Sequence, residues 1–150
     1  MSIIKVYLHF VWSTKNRTPF LTTLETRKKV WKHLEDNARS KGIYTLGIGG
    51  HKDHCHCLIS LGHDQSISKI AHFLKGECSF WINKTGLIQE DFPKEKFDWQ
   101  DEYHVESVSP HLLQSVLNYI SIQEEHHQKF SFQQEIEKFL LDQKDKGIIF

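Results

Sequence analysis

The middle of the chain holds two strand-like segments joined by a glycine-rich turn, and this pair restricts what the flanking segments can build. Ile43 to Ile48 reads as one strand. Gly49-Gly50-His51-Lys52-Asp53 reads as the turn, and His54-Cys-His-Cys-Leu-Ile-Ser-Leu61 returns antiparallel. Side chains on a strand alternate between faces. His54, His56, Leu58 and Ser60 therefore share one face, and Cys55, Cys57, Ile59 and Leu61 share the other.

On either side of this hairpin the pattern changes to helical period. Ile3 to Ser13 is β-branched and aromatic, hence strand-like. A polar, basic loop, residues 14–20, leads to Thr22 or Thr23, either of which can cap a helix running to about Arg39. Gly42 suits the left-handed stop after it. Ser66 opens a second helix that continues to about Lys84 and ends at Gly86. A charged loop over 87–98 precedes a strand from Tyr103 to Ser109. Ser109-Pro110 then starts a third helix reaching about Gln128, and a short helix over Phe132 to Gln143 follows. The order is β-α-β-β-α-β plus C-terminal helices. That order predicts an α+β, ferredoxin-like (RRM-like) antiparallel sheet with helices on one face and the His54 strand central. At 150 residues the chain is expected to form a single domain over 1–150.

Composition narrows the setting. No apolar run approaches the roughly 20 residues that span a bilayer, so no membrane partner is expected. The amino terminus lacks the pattern of a signal peptide, and three cysteines make an odd count. Both features point to a reducing cytoplasm. Net charge is zero, which argues against a protein that coats DNA generically. The charge is unevenly spread, however: residues 1–50 carry nine Lys/Arg against three Asp/Glu, and residues 101–150 carry four against nine. A basic first third can present a local phosphate-binding face.

The chemistry centres on two pieces. β-Carbons of His54 and His56 stand roughly 7 Å apart on one strand face, close enough for both rings to reach one small cation. With 11 histidines in the chain, chance supplies about one His-x-His pair, so the setting matters more than the spacing. Downstream, helical spacing puts Tyr119 and Gln123 on one face. Gln123 offers a neutral oxygen that can complete a site with the two imidazoles. Two nitrogens, one amide oxygen and open positions suit Mg²⁺ or Mn²⁺ and leave room for a phosphate oxygen. Cys55 and Cys57 point to the opposite face and, with Cys78, are expected in the core.

Several segments together resemble one family. They are His9-Phe-Val-Trp-Ser-Thr-Lys-Asn-Arg17, Gly49 to Leu61, Ser66-Ile-Ser-Lys-Ile, Trp99-Gln-Asp-Glu-Tyr103, Ser107-Val-Ser-Pro110 and Tyr119-Ile-Ser-Ile-Gln-Glu-Glu-His-His127. In this order they resemble the single-tyrosine HUH transposases, the small insertion-sequence transposases and the related REP-associated tyrosine transposases. The resemblance implies that His54 and His56 are the HUH histidines, Gln123 the third metal ligand and Tyr119 the nucleophile. It implies cleavage and rejoining of single-stranded DNA at hairpin-containing element ends through a 5′-phosphotyrosine, with divalent-metal assistance, by a homodimer in which the tyrosine helix often completes the partner's site.

Lys15, Arg17, Arg27, Lys28 and Lys32 are the candidates for holding backbone phosphates, and Trp12, Phe20 and Trp31 for stacking bases. Two other readings stay open. One is a catalytically silent relative that binds DNA or RNA hairpins. The other is a metal-dependent phosphoesterase acting on small substrates.

Overall fold

The computed structural model describes residues 2–123, and the short helix expected over 132–143 lies outside them. Four strands and three α-helices follow in the order β1 (Tyr7–Ser13), α1 (Leu24–Ser40), β2 (Tyr44–His51), β3 (His54–Ser60), α2 (Ile67–Thr85), β4 (His104–Val108) and α3 (Leu113–Ser121). The sheet order is β2-β3-β1-β4 with every neighbouring pair antiparallel, the ferredoxin-like arrangement. The histidine strand is central, as expected.

Local chemistry accounts for the helix ends. Thr23 Oγ1 accepts from the backbone N–H of Thr26 at 3.1 Å, and Ser66 Oγ accepts from that of Lys69 at 3.2 Å. Gly86 closes α2 in the left-handed region, at φ 66°.

Three boundaries differ from the sequence reading. β1 starts at Tyr7 and not Ile3, because both of its neighbours run out there: Tyr7 pairs with Ser60 on one side and Val108 on the other. The hairpin turn is only Lys52-Asp53, since Gly49, Gly50 and His51 pair with His56, Cys55 and His54. Proline at 110 opens a 3₁₀ turn over Pro110–Leu112, and α3 begins after it.

α1 and α2 cover one face of the sheet. Phe10 and Trp12 of β1 and Cys55, Cys57 and Ile59 of β3 pack there against Val30 and Leu34 of α1 and Leu74 and Cys78 of α2. All three cysteines are buried and unbridged. The other face receives α3, whose Val116 and Ile120 pack on Leu58 with Leu46 and Leu117 around them. β1 and β3 are thus covered on both sides, which explains their nearly unbroken burial.

Glycine makes the approach of α3 possible. A β-carbon on Gly47 would meet Leu117 at 2.7 Å, and one on Gly49 would meet the backbone oxygen of Ile120 at 2.8 Å.

Candidate functional site

The site lies where α3 crosses β3. Alternation turns His54 and His56 away from the thiol-lined core and toward α3, and both rings are buried. Gln123, just past the end of α3, is buried as well. The segments expected to meet, 54–56 and 119–123, are brought together within one chain.

Polar contacts fix most of the orientations. Asp53 Oδ1 lies 2.9 Å from His54 Nδ1, so that ring nitrogen carries the proton and donates it to the carboxylate. On the other side of the ring, His54 Nε2 lies 3.2 Å from Gln123 Oε1. The amide is oriented unambiguously, because its nitrogen donates to the Tyr119 carbonyl at 3.0 Å. An imidazole lone pair therefore points at an amide oxygen unless a proton or a cation lies between them. Adjacent ligands of an octahedral Mg²⁺ at about 2.1 Å stand roughly 3 Å apart. The His54–Gln123 pair already has about that spacing. Among the described residues, no group of three His, Cys, Asp or Glu side chains forms a ready metal cage, and the Gln123 amide oxygen is the donor that lies against His54. Two nitrogens and one neutral oxygen fit a divalent ion that keeps open positions.

His56 sits at the centre of an aromatic cluster. Its ring meets His54 edge-on at 5.0 Å and Tyr119 edge-on at 5.4 Å. The Tyr119 hydroxyl is buried, within a ring otherwise only partly covered. Below His56, its Nδ1 lies 2.9 Å from Nε2 of His9, a buried residue of β1. Burial, with a smaller contribution from nearby His104, pulls the His9 imidazole down to about 4.

The structure also sorts the expected DNA contacts. Lys15 and Arg17 are exposed on a 3₁₀ turn directly after β1. That turn adjoins the site, since Thr14 N–H donates to the Asp53 carbonyl at 2.8 Å. Lys28 and Lys32 are exposed on α1, in the helical layer on the far side of the sheet, and Lys32 pairs with Asp36 at 3.1 Å. Arg27 does not belong with them: it is 5% exposed and donates from Nη1 to the Leu21 carbonyl at 2.7 Å, so it fastens the chain below α1. Trp12 and Phe20 are likewise core residues and no platform for bases, while Trp31 is half-buried against the same core. A groove of about 840 Å³ between α2 and residues 96–103 contains none of the site residues.

Sequence reasoning passed over His9 as an individual residue and treated Asp53 only as a neighbour. The available signal for His9 is a lone imidazole in an apolar strand, on the face opposite to Leu8 and Phe10.

The sequence matches the family described as "Transposase IS200 like" over residues 2–123. No match was found among curated proteins. Among solved structures, a candidate transposase of Deinococcus radiodurans R1 is similar at TM-score 0.64 and 23% identity, covering 81% of this chain and 93% of the other. A REP-associated tyrosine transposase bound to a REP hairpin is similar at TM-score 0.56 and 16% identity, covering 85% and 71%. At these identities the two structures speak for the fold.

Proposed function

Because the chain belongs to the IS200-like transposase family, and is thereby a DNA-cleaving transposase, we propose that it cuts and rejoins single-stranded DNA with Tyr119 as nucleophile at a site held by His54, His56 and Gln123. The observation that carries this reading is the juxtaposition of the four side chains, above all the 3.2 Å approach of His54 Nε2 and Gln123 Oε1 beneath the tyrosine helix.

In this reading Tyr119 Oη attacks a backbone phosphorus. The bond to the 3′ oxygen breaks, that oxygen takes a proton and leaves as a 3′-hydroxyl, and the downstream strand stays on the tyrosine as a 5′-phosphotyrosine. Tyr119 Oη gives up a proton and the 3′ oxygen gains one, so the step is proton-neutral. A phenol ordinarily ionises near pH 10, so attack at neutral pH needs help. Mg²⁺ or Mn²⁺ bound by His54, His56 and Gln123 would supply it by polarising the scissile phosphate and offsetting charge on its oxygens. Asp53 fixes the His54 ring so that Nε2 faces the donor set. Gln123 orients its oxygen through the bond to the Tyr119 carbonyl. The covalent link conserves the phosphodiester energy, so the reverse attack by a 3′-hydroxyl rejoins ends without a nucleotide cofactor.

Hairpin-containing single strands are the proposed substrate, in line with the REP hairpin held by the structural neighbour. Lys15 and Arg17, on the turn that Thr14 ties to Asp53, would hold phosphates flanking the cut. A homodimer is part of the proposal. β2 and β4 are the sheet edges among the described residues and offer unpaired backbone to a second copy. Within one chain, Tyr119 already faces its own histidines, so each copy carries a full set.

The test is a covalent-adduct assay. Protein is incubated with single-stranded hairpin oligonucleotides from the DNA flanking its gene, with Mn²⁺ or EDTA, and run on a denaturing gel. A shifted band that needs metal and is lost in Tyr119→Phe and His56→Ala is expected. Tight binding with no adduct would point instead to a silent hairpin-binding relative. Absence of both, with turnover of small phosphoesters, would replace the reading altogether.

A further inference from the structure

The geometry points to His9 as the positioning residue for His56: it accepts the Nδ1 proton of His56 and so presents the opposite nitrogen, Nε2, to the metal. This rests on the metal site proposed above and adds to it a residue that does not itself touch the ion.

A hydrogen bond between two imidazoles needs one N–H and one lone pair. His9 Nε2 and His56 Nδ1 are 2.9 Å apart, so the proton on one ring fixes the tautomer of both. If His56 is to give a lone pair from Nε2, its proton must sit on Nδ1. His9 Nε2 is then the acceptor, and the His9 proton is on its own Nδ1. The ring planes are 25° from parallel with centroids 5.1 Å apart, so the imidazoles lie nearly edge to edge and an N–H in one plane can point at the lone pair in the other. His9 is 4% exposed and His56 1%, so no bulk water reaches the pair to replace the acceptor.

The β1–β3 register places them there. Val11 is the direct partner of His56 and Leu58 of His9, so the two imidazoles are diagonal neighbours on one face. The two ligand histidines are thus held differently: His54 by the carboxylate of Asp53, His56 by a neutral ring. Loss of an outer partner of this kind typically costs 10–100-fold in metal affinity.

The experiment titrates DNA-free protein with Mn²⁺, reading free Mn²⁺ by electron paramagnetic resonance, for wild type, His9→Gln and His9→Leu. Glutamine keeps an acceptor at about the reach of Nε2; leucine fills the space without one. Binding is expected to weaken by about 10–100-fold in His9→Leu and to be largely restored in His9→Gln. Thermal melts show whether each variant folds. On wild type loaded with Mg²⁺, ¹⁵N imidazole spectra are expected to show protons on Nδ1 of both His9 and His56, a readout that needs no variant. Folded His9→Leu binding Mn²⁺ as tightly as wild type, or a proton on Nε2 of His9, would overturn the proposal and leave the metal site standing. Wild type that takes up no Mn²⁺ would overturn the metal site and this proposal with it.

Discussion

Arg27 stands beside Lys28 and Lys29 in a basic run, yet its guanidinium turns inward onto the Leu21 carbonyl. Arg27→Ala is therefore expected to cost about 2–3 kcal/mol of stability, read by denaturant unfolding, with no change in how DNA affinity depends on salt. Lys15→Ala and Arg17→Ala are each expected to lower the slope of log affinity against log salt by about one, and Lys15→Ala to leave stability nearly unchanged, since Lys15 is exposed. The proposed ligand residues are easier to read, because strand alternation and helical spacing each specify a face. His9 is not, since a hydrogen bond between neighbouring strands depends on a register that no local pattern encodes.

Most elements could be read because each carries its own punctuation: Thr23 and Ser66 as caps, Gly86 as a stop, and the change of period between strand and helix. The errors fall where an element's end is set by a partner. β1 begins only where β3 and β4 can pair with it, and β2 continues through glycines that locally read as a turn. The same glycines hold α3 close to the sheet. Gly49→Ala places a methyl against the Ile120 carbonyl, which is backbone and cannot yield alone, whereas Gly47→Ala meets the end of the Leu117 side chain. Overpacking of this sort costs about 1–3 kcal/mol. Gly49→Ala is expected to be the more harmful, lowering both the melting temperature and the rate of adduct formation, with Gly47→Ala closer to wild type in both assays.

For the molecule as a whole, buried titratable groups set the pH range of stability. His9 is pulled down from 6.5 to about 4. As pH falls, the unfolded chain takes this proton first, so stability is intact above about 6.5 and lost progressively toward 4, by up to about 3 kcal/mol. Burial pushes the Cys57 thiol up from 9.0 to about 12 and raises Cys55 and Cys78 too. In the unfolded chain these thiols ionise first, so stability is present below pH 9 and falls as pH rises toward 12. Urea midpoints of metal-free protein are expected to form a plateau between those limits. Within it, Mn²⁺ at 100 times its dissociation constant should add about 2.7 kcal/mol, and EDTA should remove it. No helix among the described residues is long and apolar enough to cross a membrane.

Gln123 holds the Tyr119 carbonyl with one end of its amide and faces His54 with the other. The proposed nucleophile and third donor are therefore tied together. On the proposed mechanism, a molecule whose α3 swung off the sheet would lose the attacking oxygen and a metal ligand in the same movement. The arrangement would then work as an interlock: an opened enzyme would also be a disarmed one.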